Sequence, residues 1–483
     1  MRIGTNVAAI VANNALQKSQ NNLSTSIERL SSGYKINGSK DDAAGCAITE
    51  IQSMLTRLKE LSVQAANDVN SDDEREAIQK EIEQINNEID RISDQTEFNT
   101  QSLINGNLSR RVYSDLQGVN QLSVSDSYTA GVYGITVTED ARQAIAIGAG
   151  SITMSSTASI TEEQAGAINI NGYKISISEG DTLDKVMGKI IDGVNITGGS
   201  AFTVKDLNND TAANGTDYAG YVPTADYAGS TLVIMTNQYG SDQKMNITCD
   251  NAELADILGI PQAATQDGIY VEGSDVKAEI ATGDDGKRIG FADSAILSTK
   301  GTVITVTDVN NKEFSMDVPG NAAGTVFDDS NNDGQSVAGA GTARTISQEV
   351  TDVGTMSIHV GANQDQVIVI DIPAITTYSL GTEHMNVMTQ YTASRAISTV
   401  DEAINKTNKI RSRIGAYENR FDHTTNNLEV SSENLTKSLS TMIDTDMSEE
   451  MTTYTSETVL TQAATSILAQ ANERPSQVLQ LLQ

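Results

Sequence analysis

The sequence predicts an α+β protein in which the two chain ends form a discontinuous helical coiled coil and helix bundle, with a β-rich outer region inserted between them. All five prolines avoid residues 1–222 and 374–474, and only five of the 37 glycines lie within residues 1–100 or 384–483. Apolar residues recur at helical spacing near both ends and alternate in the middle. Because proline and glycine break helices, the ends can be helical and the middle cannot.

The outermost elements are predicted to be a terminal coiled-coil layer, residues 1–40 and 446–483. Each end carries a narrow apolar stripe at heptad-type spacing. Neither stripe is wide enough to make a core alone, so the ends should pair with each other or with other copies of the chain. The residues predicted to mediate this subunit assembly are Ile3, Val7, Leu16, Leu23, Ile27, Leu460, Ala464, Ile467, Val478 and Leu482.

Inside these ends the sequence predicts a helical bundle layer, residues 41–106 and 352–445, with a β-hairpin near 355–373. An S-x-x-D capping box at 39–42 starts a helix whose apolar positions are Ile48, Ile51, Leu55 and Leu58. A second helix follows "NSDDERE", which supplies a cap and first-turn acids. Its isoleucines step by four and three at Ile78, Ile82, Ile85, Ile89 and Ile92.

The C-terminal side of the bundle layer reads as one long helix. Apolar or Thr residues fall at every seventh position from Val400 to Met442. The pattern predicts about 55 residues, or roughly 80 Å at 1.5 Å per residue. A rod of that length is typical of a bundle or fibre subunit.

Residues 107–351 are predicted to form a variable, β-rich, surface-exposed region with one or two subdomains. Tyr173, Ile175 and Ile177 alternate as a strand, and an amphipathic helix follows from Leu183. The stretches "TVITVTDVNNKEFSMDVP" and "TMSIHVGANQDQVIVIDIP" each alternate, turn and alternate again, as hairpins do.

The composition excludes several functions. A net charge of -32 opposes binding to nucleic acid and to anionic lipid, so neither nucleic acid nor membrane is an expected partner. The three histidines lack metal-ligand spacing, and no H-E-x-x-H, P-loop or dinucleotide fingerprint is present. We therefore expect no enzyme activity, no catalytic residue, no cofactor and no metal. The first residues also lack the features of a secretory signal peptide.

Several motifs at both ends closely resemble bacterial flagellin. They are "MRIGTNVAAIVANNALQKSQNNLSTSIERLSSGYKINGSKDDAAGCAITE", "LTRLKELSVQAANDVNS", "EIDRISDQTEFNTQSLING", "NLTKSLSTMIDTDMSEEM" and "ILAQANERPSQVLQLLQ". The resemblance covers roughly the first 106 and last 100 residues and implies a structural subunit that self-assembles into the extracellular flagellar filament. It also implies that the chain is exported unfolded and that its ends fold on polymerisation. A hook-filament junction protein with similar ends is the alternative.

The resemblance further implies partners: other copies of the chain, a flagellar export chaperone, cap and junction proteins, and the host Toll-like receptor for flagellin. The residues matching the family's receptor motif are Arg57, Glu60, Leu61, Gln64 and Glu81, while Thr56 replaces the usual glutamine. A purely structural interpretation makes Leu61 a bundle residue and Arg57 a solvated one.

One feature departs from the resemblance. In typical flagellins the helix that begins at "DDAAG" continues for many turns before "ELSVQAAN", whereas here the predicted helix spans only residues 41–67. The long C-terminal helix is about twice that length. We therefore expect it to bend, or to leave part of its apolar stripe for a neighbouring subunit.

Overall fold

A computed structural model of the 483-residue chain describes residues 7–32, 43–125, 128–205, 227, 229–260, 268–283, 286–308, 312–320, 322–323, 327–328, 337–338, 343–361 and 363–481. The chain divides into two compact units. One comprises Met1–Asp41, His359–Val367 and Ala416–Gln483, and the other comprises Asp42–Ile358 and Ile368–Gly415. The predicted α+β class, with helical ends and a β-rich middle, is confirmed.

Long helices dominate the first unit. Helix α1 spans Val7–Ser32, and helix α8 spans Met447–Leu481. Helix α7, Gln390–Ile443, has 54 residues and contributes its C-terminal part to this unit, which confirms the long helix predicted from the heptad pattern. On α1, the Lys18 ammonium donates to Asn426 Oδ1 at 2.7 Å and pairs with Glu429 at 3.1 Å.

The second unit contains a helical bundle. Its helices are α2 (Ala43–Ala65), α3 (Asp72–Gln95), the short α6 (Thr377–Leu380) and the N-terminal part of α7. The predicted apolar positions of α2 are all buried: Ile48, Ile51, Leu55 and Leu58. The capping box predicted at 39–42 lies outside the described residues.

Helix α3 begins with a complete capping box. The Glu74 amide donates to Ser71 Oγ at 3.3 Å, and the Ser71 amide donates to Glu74 Oε2 at 2.8 Å. These two bonds give acceptors to two backbone amides that have no partner within the helix. Ile78, Ile82 and Ile89 are buried, as the isoleucine spacing predicts.

Polar side chains of α3 hold the segment before α7. Asp90 accepts from the Thr377 amide at 2.8 Å and from the Thr377 hydroxyl at 2.6 Å. The Gln79 side-chain amide donates to the Met385 carbonyl at 3.1 Å and accepts from the Val387 amide at 3.0 Å. These hydrogen bonds give partners to backbone groups of the irregular segment that precedes α7.

In the part of the middle that the structure describes, the chain forms short strands and three helical segments. The helical segments are α4 (Leu183–Ile196), α5 (Ala252–Ile257) and a 3-10 turn at Glu162–Gln164. The strands are β1 Glu97–Phe98, β2 Gln101–Ser102, β3 Val112–Ser114, β4 Asn120–Val124, β5 Gly131–Glu139, β6 Ile145–Ser151, β7 Gly166–Ile170, β8 Tyr173–Ile177, β9 Gly199–Lys205, β10 Ser230–Thr236, β11 Lys244–Cys249, β12 Ile269–Glu272, β13 Lys277–Ile280, β14 Ile296–Lys300, β15 Val303–Thr307, β16 Glu313–Asp317, β17 Phe327–Asp328, β18 Val337–Ala338, β19 Arg344–Val350, β20 Met356–His359 and β21 Val367–Ile370.

These strands form four larger sheets, with orders β6-β10-β9, β12-β11-β7-β8, β13-β5-β19-β3 and β14-β15-β16-β4, and the two-stranded pairs β1-β2, β17-β18 and β20-β21. The predicted strand at 173–177 and the helix after it are confirmed. Both predicted hairpins are also confirmed, as β15-β16 and β20-β21.

Two hydrophobic clusters organise the larger sheets. The first packs α4 and α5 against the sheets that contain β7 and β10. The second joins the sheets that contain β5 and β15, and its centre is a group of aromatic rings with centroids 5.1 to 6.0 Å apart. The rings are Tyr128, Tyr133, Phe291 and Phe314.

Two hairpins turn through left-handed backbone. Between β7 and β8 the turn residues are Asn171, with φ 50°, and Gly172, with φ 91°. Between β1 and β2 they are Asn99, with φ 51°, and Thr100, with φ 68°. A β-branched residue is strained in this region, whereas glycine is not.

Candidate assembly surface and bundle face

Both terminal helices present apolar side chains to solvent. Leu460 is 58% exposed and Ile467 is 66% exposed, although side chains of this kind are usually buried. Ile3, Leu482 and the Val7 side chain lie outside what the structure describes, and Ala464 is exposed on α8. The larger predicted assembly residues that are described are all more than half exposed: Leu16, Leu23, Ile27, Leu460, Ile467 and Val478.

Helix α7 changes character along its length. Its N-terminal half buries Ala393, Val400 and Thr407. Its C-terminal part exposes Leu428, Val430, Leu435, Leu439, Met442 and Ile443. The 23-residue helix α2 is less than half as long as the 54-residue α7. This matches the expectation that part of the α7 stripe is left uncovered by the chain itself.

The second candidate surface lies across α2 and α3. The Arg57 guanidinium donates to Glu81 Oε1 from Nη2 at 2.8 Å and from Nε at 3.0 Å, and it pairs with Glu60 at 3.3 Å. Hydrogen bonds to Glu81 and then to Glu60 raise the pKa of the Arg57 guanidinium. Gln64 is also exposed. The structure therefore brings four of the five predicted receptor residues onto an exposed face.

Leu61, the fifth predicted receptor residue, does not lie on this exposed face. Its side chain is 1% exposed and belongs to the buried side of α2. A side chain covered on all sides cannot contact a receptor while the bundle stays intact. Leu61 is therefore a packing residue of the bundle, as the structural interpretation of the sequence has it.

A polar ladder between α2 and α7 was not predicted from the sequence. Lys59 pairs with Asp401 at 2.6 Å. One heptad away, Gln52 donates to Asn408 Oδ1 at 2.7 Å and accepts from Arg411 at 2.8 Å. Polar contacts at heptad spacing fix the register of antiparallel helices.

Arg75 is a second feature that the sequence did not reveal. This buried arginine donates from Nε to the Ala65 carbonyl at 3.2 Å and from Nη2 to the Asn67 carbonyl at 3.1 Å. Ala65 is the last residue of α2, where backbone acceptors lack helical partners, and Asn67 lies two residues beyond it. The guanidinium satisfies them and places positive charge at the negative end of the helix dipole.

The described residues show no arrangement suited to metal chemistry, since no three His, Cys, Asp or Glu side chains come together there in a way that could hold an ion. No helix in the described part of the chain combines the length and apolar character that crossing a membrane requires. What distinguishes this molecule is its open apolar stripes on both terminal helices. Such stripes are typical of the class of structural subunits that assemble into larger structures.

Family models place the chain within that class. The bacterial flagellin C-terminal helical region matches residues 397–482, and the bacterial flagellin N-terminal helical region matches residues 3–51 and 46–109. The chain belongs to the bacterial flagellin family, a family of structural proteins, and its function is that of a filament subunit of the bacterial flagellum.

Curated relatives match along the whole chain. It is 29% identical over 537 aligned residues to the flagellin of Salmonella typhimurium strain LT2, covering 99% of each chain. It is 27% identical over 515 aligned residues to polar flagellin A of Vibrio parahaemolyticus, covering 100% of this chain and 99% of the relative. Among solved structures, the D2-D3 domains of the flagellar cap protein FliD from Escherichia coli align with 50% of this chain and 98% of that chain, at 15% identity and a TM-score of 0.26. That likeness is too weak to carry an argument.

Proposed function

We propose that the terminal helices of this filament subunit become ordered only against sister subunits, so that polymerisation completes the folding of both ends. In this proposal residues 1–40 and 446–483 form the core layer, residues 41–106 and 352–445 form the bundle layer, and residues 107–351 face outward. The observation that carries it is the exposure of the apolar stripes on α1 and α8.

A physical argument supports coupled folding. An isolated helix in water is marginal, and most helical stability in proteins comes from packing an apolar face. Helix α8 is also rich in threonine, whose hydroxyls donate back to carbonyls of the preceding turn at Thr452, Thr455, Thr458, Thr461 and Thr465. Threonine is a weak helix former. Order in these helices therefore depends on contacts that a neighbouring copy supplies.

Two measurements test this proposal. Deletion of residues 1–40 or 446–483 should abolish seeded growth of filaments in electron micrographs, while the second unit still unfolds cooperatively. Amide hydrogen exchange should be fast throughout α1 and α8 in the monomer and slow in the filament. Filament growth by either deletion variant, or slow exchange at both ends of the monomer, would contradict coupled folding.

The alternative role, a hook-filament junction protein, predicts a different product. A junction protein forms a short zone of limited length, whereas a filament subunit continues to add to its own end. Purified chain added to filament seeds should give long helical filaments. Growth that stops after a short segment would favour the junction role.

Membership in the family also suggests where the chain is located and which proteins it contacts. We infer that the chain is secreted to the extracellular filament without catalytic activity, after contact with an export chaperone, and that it meets the cap and junction proteins there. Detection of intact chain in sheared extracellular filaments, together with its loss when flagellar export is blocked, tests the secretion step.

The exposed face of α2 and α3 supports a contact with the host Toll-like receptor for flagellin. Arg57, Glu60, Gln64 and Glu81 are accessible there, and the Arg57–Glu81 pair holds the two helices' charges in fixed positions. Arg57→Ala should weaken activation of a receptor reporter. A matched control is Lys80→Ala, which removes an exposed cation on α3 whose ion pair, among the described residues, is with Glu76 of the same helix at 2.6 Å. Equal activity of both variants would contradict this contact.

A further inference from the structure

One side of α7 fastens the bundle to the β-rich region through ion pairs. Each pair joins a residue of α7 to a residue from a strand or its neighbouring segment. The spacing along α7 is seven residues and then four, which keeps these groups on one side of the helix. The pairs are Lys300–Glu402, Glu313–Lys409 at 3.1 Å and Asp371–Arg413 at 2.5 Å.

Lys406 lies in the middle of this row without a carboxylate. Its ammonium donates to the Ser379 carbonyl at 3.2 Å, and no Asp or Glu of the described residues lies within ion-pair distance of it. Glu402 and Glu313, the acids nearest to it in the row, are engaged by Lys300 and Lys409. Although the residue is exposed as a whole, desolvation near its ammonium lowers the pKa of Lys406. The charges of Glu402 and Glu313 oppose this shift, and the neighbouring cations Lys300 and Lys409 add to it.

A cleft of about 360 Å³ opens beside this ammonium. Its lining comes from β4, β16, α7 and the segment 373–380. The cleft combines hydroxyls with an apolar surface. Its apolar lining residues are Leu122, Pro373, Ala374, Leu380 and Ile410, and its hydroxyl residues are Ser123, Ser125, Ser315, Ser379 and Ser412.

We propose that this cleft binds a small organic monoanion, a carboxylate carried on an apolar tail, with the carboxylate on Lys406. The cations that line the cleft are Lys406, Lys409 and Arg413. Glu313 and Asp371 neutralise the last two, which leaves one positive charge for one ligand charge. Among the cations of the cleft lining, Lys406 is thus the one without a carboxylate partner in the described part of the chain.

The apolar lining decides the ligand class. A bare inorganic anion would use the ammonium and the serine hydroxyls and leave the exposed apolar part of the lining against water. A tail laid over Leu122 and Ala374, which are only half-buried, removes apolar surface from water at about 25 cal/mol per Å². Ligand pockets combine apolar walls and a few placed polar groups in the same way. A bound molecule would bridge the β4–β16 sheet and α7.

The test uses the full-length monomer, with octanoate as the probe. Binding is measured by titration with saturation-transfer NMR. Octanoate should bind the wild type, and the dissociation constant should rise at least about tenfold in Lys406→Gln, because a charge-assisted hydrogen bond is lost. Glutamine keeps a donor for the Ser379 carbonyl. Lys437→Gln, at an exposed cation elsewhere on α7, is the matched control and should bind as the wild type does.

A second variant tests the cleft independently of charge. Leu122→Phe places a larger side chain in the cleft and should abolish octanoate binding while the circular dichroism of the chain stays unchanged. If Lys406→Gln fails to fold, this variant decides the matter. Absence of binding to the wild type, equal binding of octan-1-ol, unchanged affinity in Lys406→Gln, displacement of octanoate by inorganic phosphate at comparable concentration, or retained binding in Leu122→Phe would each overturn the proposal.

Discussion

Truncating two side chains of the α8 stripe should impair polymerisation without weakening the monomer. Leu460 and Ile467 lie one heptad apart, and 58% and 66% of their surfaces are exposed in the single chain. Fully burying a side chain of this size contributes about 1.5–3 kcal/mol, so burying the exposed part contributes roughly 1–1.5 kcal/mol for each. The double variant Leu460→Ala and Ile467→Ala should therefore lose about 2–3 kcal/mol for each subunit added to a filament.

The assay is the critical concentration for seeded growth, measured by sedimentation. Because about 1.4 kcal/mol corresponds to a factor of ten, the double variant should raise it roughly 30- to 150-fold. The thermal unfolding midpoint of the monomer should stay where it is, since the truncated groups already face water. Ile296→Ala is the matched control, because Ile296 is 72% exposed but lies on β14 in the outer region.

Three results would refute this reasoning. An unchanged critical concentration in the double variant would mean that the α8 stripe is not buried in the filament. A lower unfolding midpoint of the monomer would mean that the stripe already packs within its own chain. An equal effect of Ile296→Ala would show that loss of any exposed apolar group impairs growth.

Five further variants test other parts of the structure. Leu55→Ala, at a fully buried position of α2, should lower the free energy of unfolding by about 2–5 kcal/mol in urea titrations, and a loss near zero would contradict the bundle core. Thr100→Gly should raise the free energy of unfolding by about 1 kcal/mol because the strain of the left-handed turn is relieved. The reciprocal variant Gly172→Thr should lower the free energy of unfolding. Arg75→Met should lower the free energy of unfolding by about 1–3 kcal/mol because the Ala65 and Asn67 carbonyls lose the hydrogen bonds from Arg75. An unchanged urea midpoint would contradict this. Hydrogen bonds from Lys185 and Lys189 lower the pKa of the Asp181 carboxyl in the folded chain. The stability that this carboxylate contributes is therefore present above its ordinary pKa of 3.8 and is lost as the pH falls below that value. Between about pH 4 and about pH 2, Asp181→Asn should lose less stability than the wild type does.

The helical parts of the fold were predictable because their signals are local. The isoleucine series of α3 and its acidic start predicted both the helix and its cap, and the heptad run predicted α7 to within a residue or two of its length. A helix buries one face along its own sequence, so its pattern needs no knowledge of the rest of the chain.

The sheets were not predictable in the same way. Strand β5 pairs with β19, which places Ile135 opposite Ile346. Each strand alternates correctly by itself, but nothing in either one selects a partner about two hundred residues away. Such pairing is decided by packing between sheets, and β propensity carries little of that information.

For the candidate site, the sequence carries a signal for the burial of Leu61. Leu61 continues the series Leu55 and Leu58 at helical spacing, which indicates the buried face of α2 rather than a contact residue. Arg75 and the Lys59–Asp401 pair gave no such signal, because an arginine or lysine on a predicted helix is most often solvated. Their roles depend on which backbone or side chain comes near them in three dimensions.

The unbroken course of α7 limits how its length can evolve. A single helix carries a covered stripe in its first half and an open stripe in its second, and each residue turns the helix by 100°. Inserting or deleting one residue between 411 and 427 would therefore rotate the open stripe a quarter turn away from its present direction. Viable length variants of this stretch should come in steps of seven or eleven residues, which return the helix close to its original phase.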